Sequence, residues 1–202
     1  MNHFIFDFET LGQSVIKAPI INCSYTVFSE SDFVGDGLSY GQIFSIVKTL
    51  KLDVKVQVDA GYKIEKSTIA FWESVDPEAR KQLTPSTEDL TYSQFCDRLI
   101  SYLDGMVKID YWWSRSNTFD PILLWRIFED CDRSQELNDR LKFWKVRDVR
   151  TYIDAKSDFS VRNDFIPIDN ETWKANFKAH DSRHDVVGDV LRMQKIHQLT
   201  RD

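Results

Sequence analysis

Apolar residues in this chain recur with two spacings, and the switches between them divide it into elements. Residues 1–10 hold Phe4, Ile5, Phe6 and Phe8 in one short run, which predicts a heavily buried strand. A polar turn at Gly12, Gln13 and Ser14 leads to residues 20–28 (IINCSYTVF), a second strand. Residues 29–41, with Gly35, Gly37 and Gly41 among Ser and Asp, read as a turn region. Residues 42–48 and the alternating VKVQV at 54–58 supply further strand material. The spacing then changes. Residues 67–72 predict a short helix, and Asp76 followed by Pro77 opens another, as N-cap and first helical residue. Leu90, Phe95, Leu99, Ile100 and Leu103 give residues 90–103 an amphipathic helical period that Gly105 ends. Residues 106–113 read as a central strand. Residues 121–130 read as a helix apolar on most faces, through Ile122, Leu123, Trp125, Ile127 and Phe128. Residues 145–153 are strand or mixed. Residues 181–198 form a last helix with Val186, Val187, Val190, Leu191 and Met193 inward. Consecutive strands followed by alternating strands and helices predict an α/β fold, a central mixed sheet flanked by helices. At 202 residues, without repeat or linker, the chain is expected to form a single domain over 1–202.

Composition narrows the function classes. Hydrophobic residues make up 42% and charged residues 29%, as in a water-soluble globular protein, and no apolar run approaches membrane-spanning length. The start Met-Asn-His lacks the basic region of a secretion signal. The three cysteines, Cys23, Cys96 and Cys131, are odd in number and far apart, which predicts free thiols in a reducing cytoplasm. A net charge of −6 argues against tight duplex binding but not against chemistry in which metal cations supply the positive charge.

The candidate chemistry starts from two acids among the phenylalanines of the first strand. Asp7 and Glu9 are two apart, so they face the same way. Burying one unpaired carboxylate is costly and two adjacent ones repel, so the pair points to a hard divalent cation held by oxygen ligands. Asp120 sits where an aromatic strand, Tyr111-Trp112-Trp113, passes into a helix, a usual place for α/β sites. Asp120-Pro121 reads equally as an N-cap with first-turn proline, as Asp76-Pro77 does. The third constellation is His180, Asp181, Ser182, Arg183, His184, Asp185 and Asp189 at the start of the last helix. A histidine there suits a general base, with an acid about one turn on completing a metal site. His180 and His184 also have the spacing of a zinc pair, without an HExxH motif to complete it. Two registers of H-x4-D overlap, His180/Asp185 and His184/Asp189.

Taken in order, Asp7/Glu9, Asp120 and His180/Asp185 resemble the DEDDh family of 3′–5′ exonucleases, and within it the phage exonuclease A type. The finer likeness is carried by Ile5 to Thr10, Lys66-Ser67-Thr68-Ile69 with Trp72 and Ser74, and Pro77 to Arg80. It continues through Phe119 to Leu123, Lys142-Phe143-Trp144, Arg147-Asp148 with Arg150-Thr151, and Ala179 to Ser182 with His184 and Asp185. The resemblance implies a ribonuclease-H-like fold. It implies two divalent cations, Mg²⁺ or Mn²⁺, held by Asp7, Glu9, Asp120 and Asp185, with His180 as base. It favours the His180 register because a small residue, here Ser182, usually stands two after the histidine. It further implies substrate contacts at Thr10, Leu11, Asn117, Phe119, Phe71 and Trp72, with Trp72 the better candidate for stacking a base. Arg147, Arg150 and Arg183 are candidate phosphate contacts, each read first as a surface residue or structural ion pair. Asp148 is read first as the partner of Arg147. The implied substrate is a single-stranded nucleic acid, DNA favoured over RNA, with no membrane partner and a protein partner unknown. The implied setting is the cytoplasm of a bacterial cell, encoded by a phage or prophage. An exoribonuclease acting on short RNA, a catalytically inactive binding module of the same fold, and a zinc hydrolase remain as alternatives.

Overall fold

Alternation along the first strand sets the architecture. The structure, a computed structural model, describes residues 1–200. Strand β1 (Asn2–Thr10) pairs antiparallel with β2 (Ile20–Ser29) and parallel with β4 (Tyr111–Ser114). β3 (Lys48–Lys51) extends the sheet beyond β2, and β5 (Val146–Asp148) extends it beyond β4, in the order β3-β2-β1-β4-β5. Even positions of β1 point to one face, where Phe4, Phe6 and Phe8 pack on α5 (Tyr92–Asp104) and α6 (Asp120–Glu129) through Phe95, Leu99, Leu123 and Ile127. The odd position Ile5 points to the other face. There it joins Trp113, α8 (Val149–Lys156) through Val149 and Ile153, and α10 (Ser182–Leu199) through Val186, Val187 and Val190. Asp7 and Glu9 follow Ile5 in this alternation, so they stand on the α10 face at the end of the strand. The mixed sheet between two helical layers is the expected class.

Several elements differ from their prediction, each for a local reason. Residues 42–48 are mostly α1 (Tyr40–Ile46), begun by a capping box in which Ser39 and Gln42 satisfy each other's backbone amides; strand β3 starts only at Lys48. Residues 54–58 are α2 (Val54–Asp59), capped by Asp53, whose side chain accepts from Val56 N at 3.0 Å. The alternating valines misled because Val56 is 46% exposed, while the polar Gln57 is 4% exposed. The Gln57 amide pairs with both backbone groups of Ile20, at 2.7 and 2.8 Å, as a strand would. Of residues 106–113 only the end is strand; Met106 and Val107 are exposed. The 145–153 segment is indeed mixed, β5 then α8. Helices α3 (Lys66–Ser74) and α4 (Pro77–Arg80) lie where expected, and Asp76 caps α4 by accepting from Glu78 N at 2.8 Å. Helices α7 (Ser134–Arg140) and α9 (Asn170–Asn176) bury one side chain each, Leu137 and Trp173, too few for a period to show. Among the described residues no helix is long and apolar enough to cross a membrane.

Candidate metal centre and nucleic-acid cleft

The start of α10 rests directly on the sheet. Ser182, fully buried, shares a hydrogen bond with Ser24 of β2 at 2.7 Å and donates to Asn22 Oδ1 at 2.8 Å. A larger side chain would hold the helix off the strand. One turn on, this close seat aims Asp185 at Asp7 and Glu9, and the three carboxylates each bring an oxygen within 4.8 Å of the others. Among the described residues this is the group suited to a metal ion, and neither His180 nor His184 belongs to it.

Asp120 reaches the same cleft from the other side. Helix α6 begins after Phe119, so Asp120 is its first residue and not its cap. The pairing of β1 with β4 ends at Ile5 and Trp113, which frees the Phe8 amide, and Asp120 Oδ1 accepts from it at 3.3 Å. The identical-looking Asp76-Pro77 caps its own helix, so the two Asp-Pro pairs do different work. Asp120 lies outside the tight group of three, but with Asp7, Glu9, Asp185 and His180 it lines a cleft of about 550 Å³. Phe8, Phe119, Ser116, Thr118, Arg115 and Arg150 complete the lining.

The electrostatics of the cleft are those of a cation site. Burial, then the charges of Asp120, Asp185 and Glu9, push the Asp7 carboxyl well above the usual carboxylate range. Burial and the charges of Asp185 and Asp120 do the same to Glu9. Burial pushes Asp120 and Asp185 up to about 7 each, against hydrogen bonds from backbone amides that favour their ionised forms. Among the described residues no lysine or arginine pairs with any of the four. Four converging oxygen donors, none of them ion-paired among the described residues, fit one or two hard divalent cations.

His180 stands at the mouth of the cleft. Its φ of +62° is in the left-handed region, and its N–H donates to Asp185 Oδ2 at 3.1 Å. Its imidazole meets the ring of Phe71 edge-on at 4.8 Å, and partial burial holds it below the ordinary histidine pKa. The other register is structural. His184 Nδ1 bonds the Tyr40 hydroxyl beside Phe44, and buried Asp189 is shared by Arg115 and Arg192. Asp189, one turn further along α10, is carried past the cleft into that ion pair.

The expected substrate contacts are placed unevenly. Trp72 offers no stacking surface. It is 2% exposed, packed on Ile21, Val75 and Ala79, with its Nε1 donating to the Thr10 carbonyl at 3.1 Å. Its neighbour Phe71, 40% exposed, is the free ring. Thr10 is buried, and Leu11 packs against the Trp72 cluster, so both support the strand end and not the cleft wall. Phe119 lines the cleft. Asn117 is exposed beside it, with its backbone N–H donating to Asp148 Oδ2 at 3.3 Å. Asp148 is not paired with Arg147 but caps α8, accepting from Thr151 N at 2.7 Å. Arg147 lies over the Tyr111 ring, and Arg183 lies over Phe44 with a hydrogen bond to its carbonyl. Of the three arginines only Arg150 lines the cleft, donating to the Arg115 carbonyl at 2.7 Å. Arg115 itself carried no signal in the sequence. A lone arginine after a strand becomes notable only once Asp189 is seen to orient it.

Comparison with known proteins gives the family and the fold. The model of the 3′-5′ exoribonuclease Rv2179c-like domain matches residues 2–190. A protein of Enterobacteria phage T4 named exodeoxyribonuclease is 32% identical, over 96% of this chain and 88% of its own length. Among solved structures, apo Exonuclease I superposes with a TM-score of 0.60 at 15% identity, over 99% of this chain and 42% of its own. The zinc-bound complex of E. coli Exonuclease I with single-stranded DNA gives 0.57 at 15%, over 99% and 41%. The chain thus spans about two fifths of the solved structures it resembles, and the likeness establishes the ribonuclease-H-like exonuclease fold.

Proposed function

The chain belongs to the 3′-5′ exoribonuclease Rv2179c-like family, and on that premise we propose that this exonuclease removes 5′-mononucleotides from the 3′ end of single-stranded DNA or of a frayed duplex. The observation that carries the reading is the cleft in which Asp7, Glu9, Asp120 and Asp185 meet without an ion-pair partner, beside a histidine whose ring makes no hydrogen bond among the described residues. Asp7, Glu9 and Asp185, with Asp120 behind them, would hold two Mg²⁺ or Mn²⁺ ions, whose charge when bound acidifies the attacking water and stabilises the leaving oxygen. His180, kept neutral by partial burial, accepts the proton that water loses as its oxygen bonds to phosphorus. The bond from phosphorus to the 3′-oxygen breaks, and that oxygen takes its proton from solvent. Arg150 and Arg115, which line the same cleft, would face the non-bridging phosphate charge. Phe71 offers its exposed face to the terminal base, a contact worth ~1–3 kcal/mol.

DNA is favoured by the phage exodeoxyribonuclease, which aligns with nearly the whole chain. The family description favours a second reading, an exoribonuclease on short RNA. Oligomers of one sequence as DNA and as RNA, labelled at the 5′ end, separate the two with either Mg²⁺ or Mn²⁺. The DNA reading expects a ladder shortening from the 3′ end with the higher kcat/KM on DNA. Equal or faster RNA cleavage would replace it by the second reading, and early release of the labelled nucleotide would refute the polarity.

A further inference from the structure

The imidazole of His180 lacks the usual support of a catalytic histidine. No carboxylate or carbonyl bonds a ring nitrogen among the described residues, so on the ring itself the edge-on contact with Phe71 stands in place of a hydrogen bond. Its place is set through the backbone. The N–H is held by Asp185, and the carbonyl accepts from Gln82 Nε2 at 2.7 Å. Gln82 lies on a short 3₁₀ turn (Lys81–Leu83) just after α4. Its own amide is held in one orientation, because Oε1 accepts from Asn22 Nδ2 at 2.6 Å while Asn22 Oδ1 accepts from Ser182 Oγ at 2.8 Å. Asn22 is the β2 partner of Glu9. One amide therefore connects the strand pair carrying the acids to the carbonyl of the proposed base. The left-handed backbone of His180, which an L residue adopts at some cost, is held on both sides by these two bonds.

We propose that Gln82 is the positioning residue of the reaction, fixing the His180 ring at the mouth of the cleft through the His180 carbonyl. The assignment rests on the reading of His180 as general base. Gln82 touches neither substrate nor ion; its effect passes through the direction in which the imidazole leaves the chain. Displacement of a reacting group by about 1 Å can cost on the order of 10²-fold in rate. A lost clamp at Gln82 should therefore lower kcat about 10- to 100-fold, with KM little changed.

The test is a double-mutant cycle in the full chain, with kcat and KM measured on a single-stranded oligomer in excess over enzyme. Gln82→Met removes both hydrogen bonds at similar size. Gln82→Glu keeps the acceptor for Asn22 and replaces the donor to His180 with a charged oxygen that repels its carbonyl. The inference expects both to lower kcat by that factor and to cost less than about twofold more when His180 is already alanine. It also expects the His180 ring signals, among the four histidines of the metal-free protein, to shift or broaden in Gln82→Glu while those of His3 stay put. Wild-type kcat in both variants, with a His180→Ala enzyme that is nearly inactive, would remove the Gln82 assignment alone. An equal loss with and without His180 would also overturn it, showing Gln82 to be merely structural. A His180→Ala enzyme as fast as wild type would remove the general-base reading and the Gln82 assignment with it. If Gln82→Met fails to fold, Gln82→Glu and the ring signals decide.

Discussion

Asp7 is the residue on which the acidic cluster turns, since every other acid of the cleft, and Asp189 beyond it, raises its pKa after burial does. A carboxyl with a pKa raised by folding keeps a proton that the unfolded chain has already released. The metal-free protein therefore loses stability as pH rises from the ordinary carboxylate range near 4 through about 7, where Asp120 and Asp185 ionise. Thermal melts in chelator should show Tm falling by several °C between pH 5 and 7.5, with Mg²⁺ or Mn²⁺ restoring it at the upper end. Asp7→Asn relieves the same repulsion. It should melt higher than wild type in chelator at pH 7.5 and lose activity by about 10²-fold or more. A near-wild-type rate would remove Asp7 from the site. At this scale the sequence was legible where a residue stood out from its context, as two acids among phenylalanines do. It was illegible where neighbours were alike. Phe71 and Trp72 lie about 100° apart on one helix, and only the packing of Ile21, Val75 and Ala79 under Trp72 decides which ring is free.

Helix α10 shows how an element converts packing into site geometry. Its first residue is a serine because the helix end sits at hydrogen-bond distance from Ser24 and Asn22. Ser182→Leu should cost ~1–3 kcal/mol through overpacking. It should also lose more activity than stability, because the displaced helix start carries His180 and Asp185 together. A melt and a rate on the same preparation check this; a stability loss with unchanged kcat would mean that the seat does not set the site. Elements with a strong apolar period, β1, β2, α5, α6 and α10, were readable in advance. Those whose identity rests on a cap were not: Ser39 with Gln42 begins α1 in a short apolar stretch, and Asp53 begins α2 in one whose side chains alternate like a strand. Asp189 shows the same limit for chemistry. Its H-x4-D spacing matches that of Asp185, yet one further turn places it between two arginines.

The molecule as a whole carries a net charge of −6 and meets its substrate with few cations. Arg115 is already shared with Asp189, which leaves Arg150 as the freest positive group in the cleft. Affinity for a single strand should therefore depend weakly on salt, with a slope of log K against log salt between about −0.7 and −1.4 for one or two phosphates. It should collapse in chelator. Fluorescence anisotropy of a labelled oligomer with an inactive variant measures both, and a steep slope would require a basic surface elsewhere. The sheet divides the molecule in time as well as in space. β1, which carries Asp7 and Glu9, is paired with β2 along its whole length and with β4 as far as Ile5, whereas His180 lies on an exposed connection tied down at two backbone atoms. Amide hydrogens in the middle of β1 should exchange with solvent only on global unfolding, and those around His180 through far cheaper local opening. On gentle warming the proposed base should thus be lost before the strand that carries Asp7 and Glu9, passing through a folded and inactive state that cooling reverses.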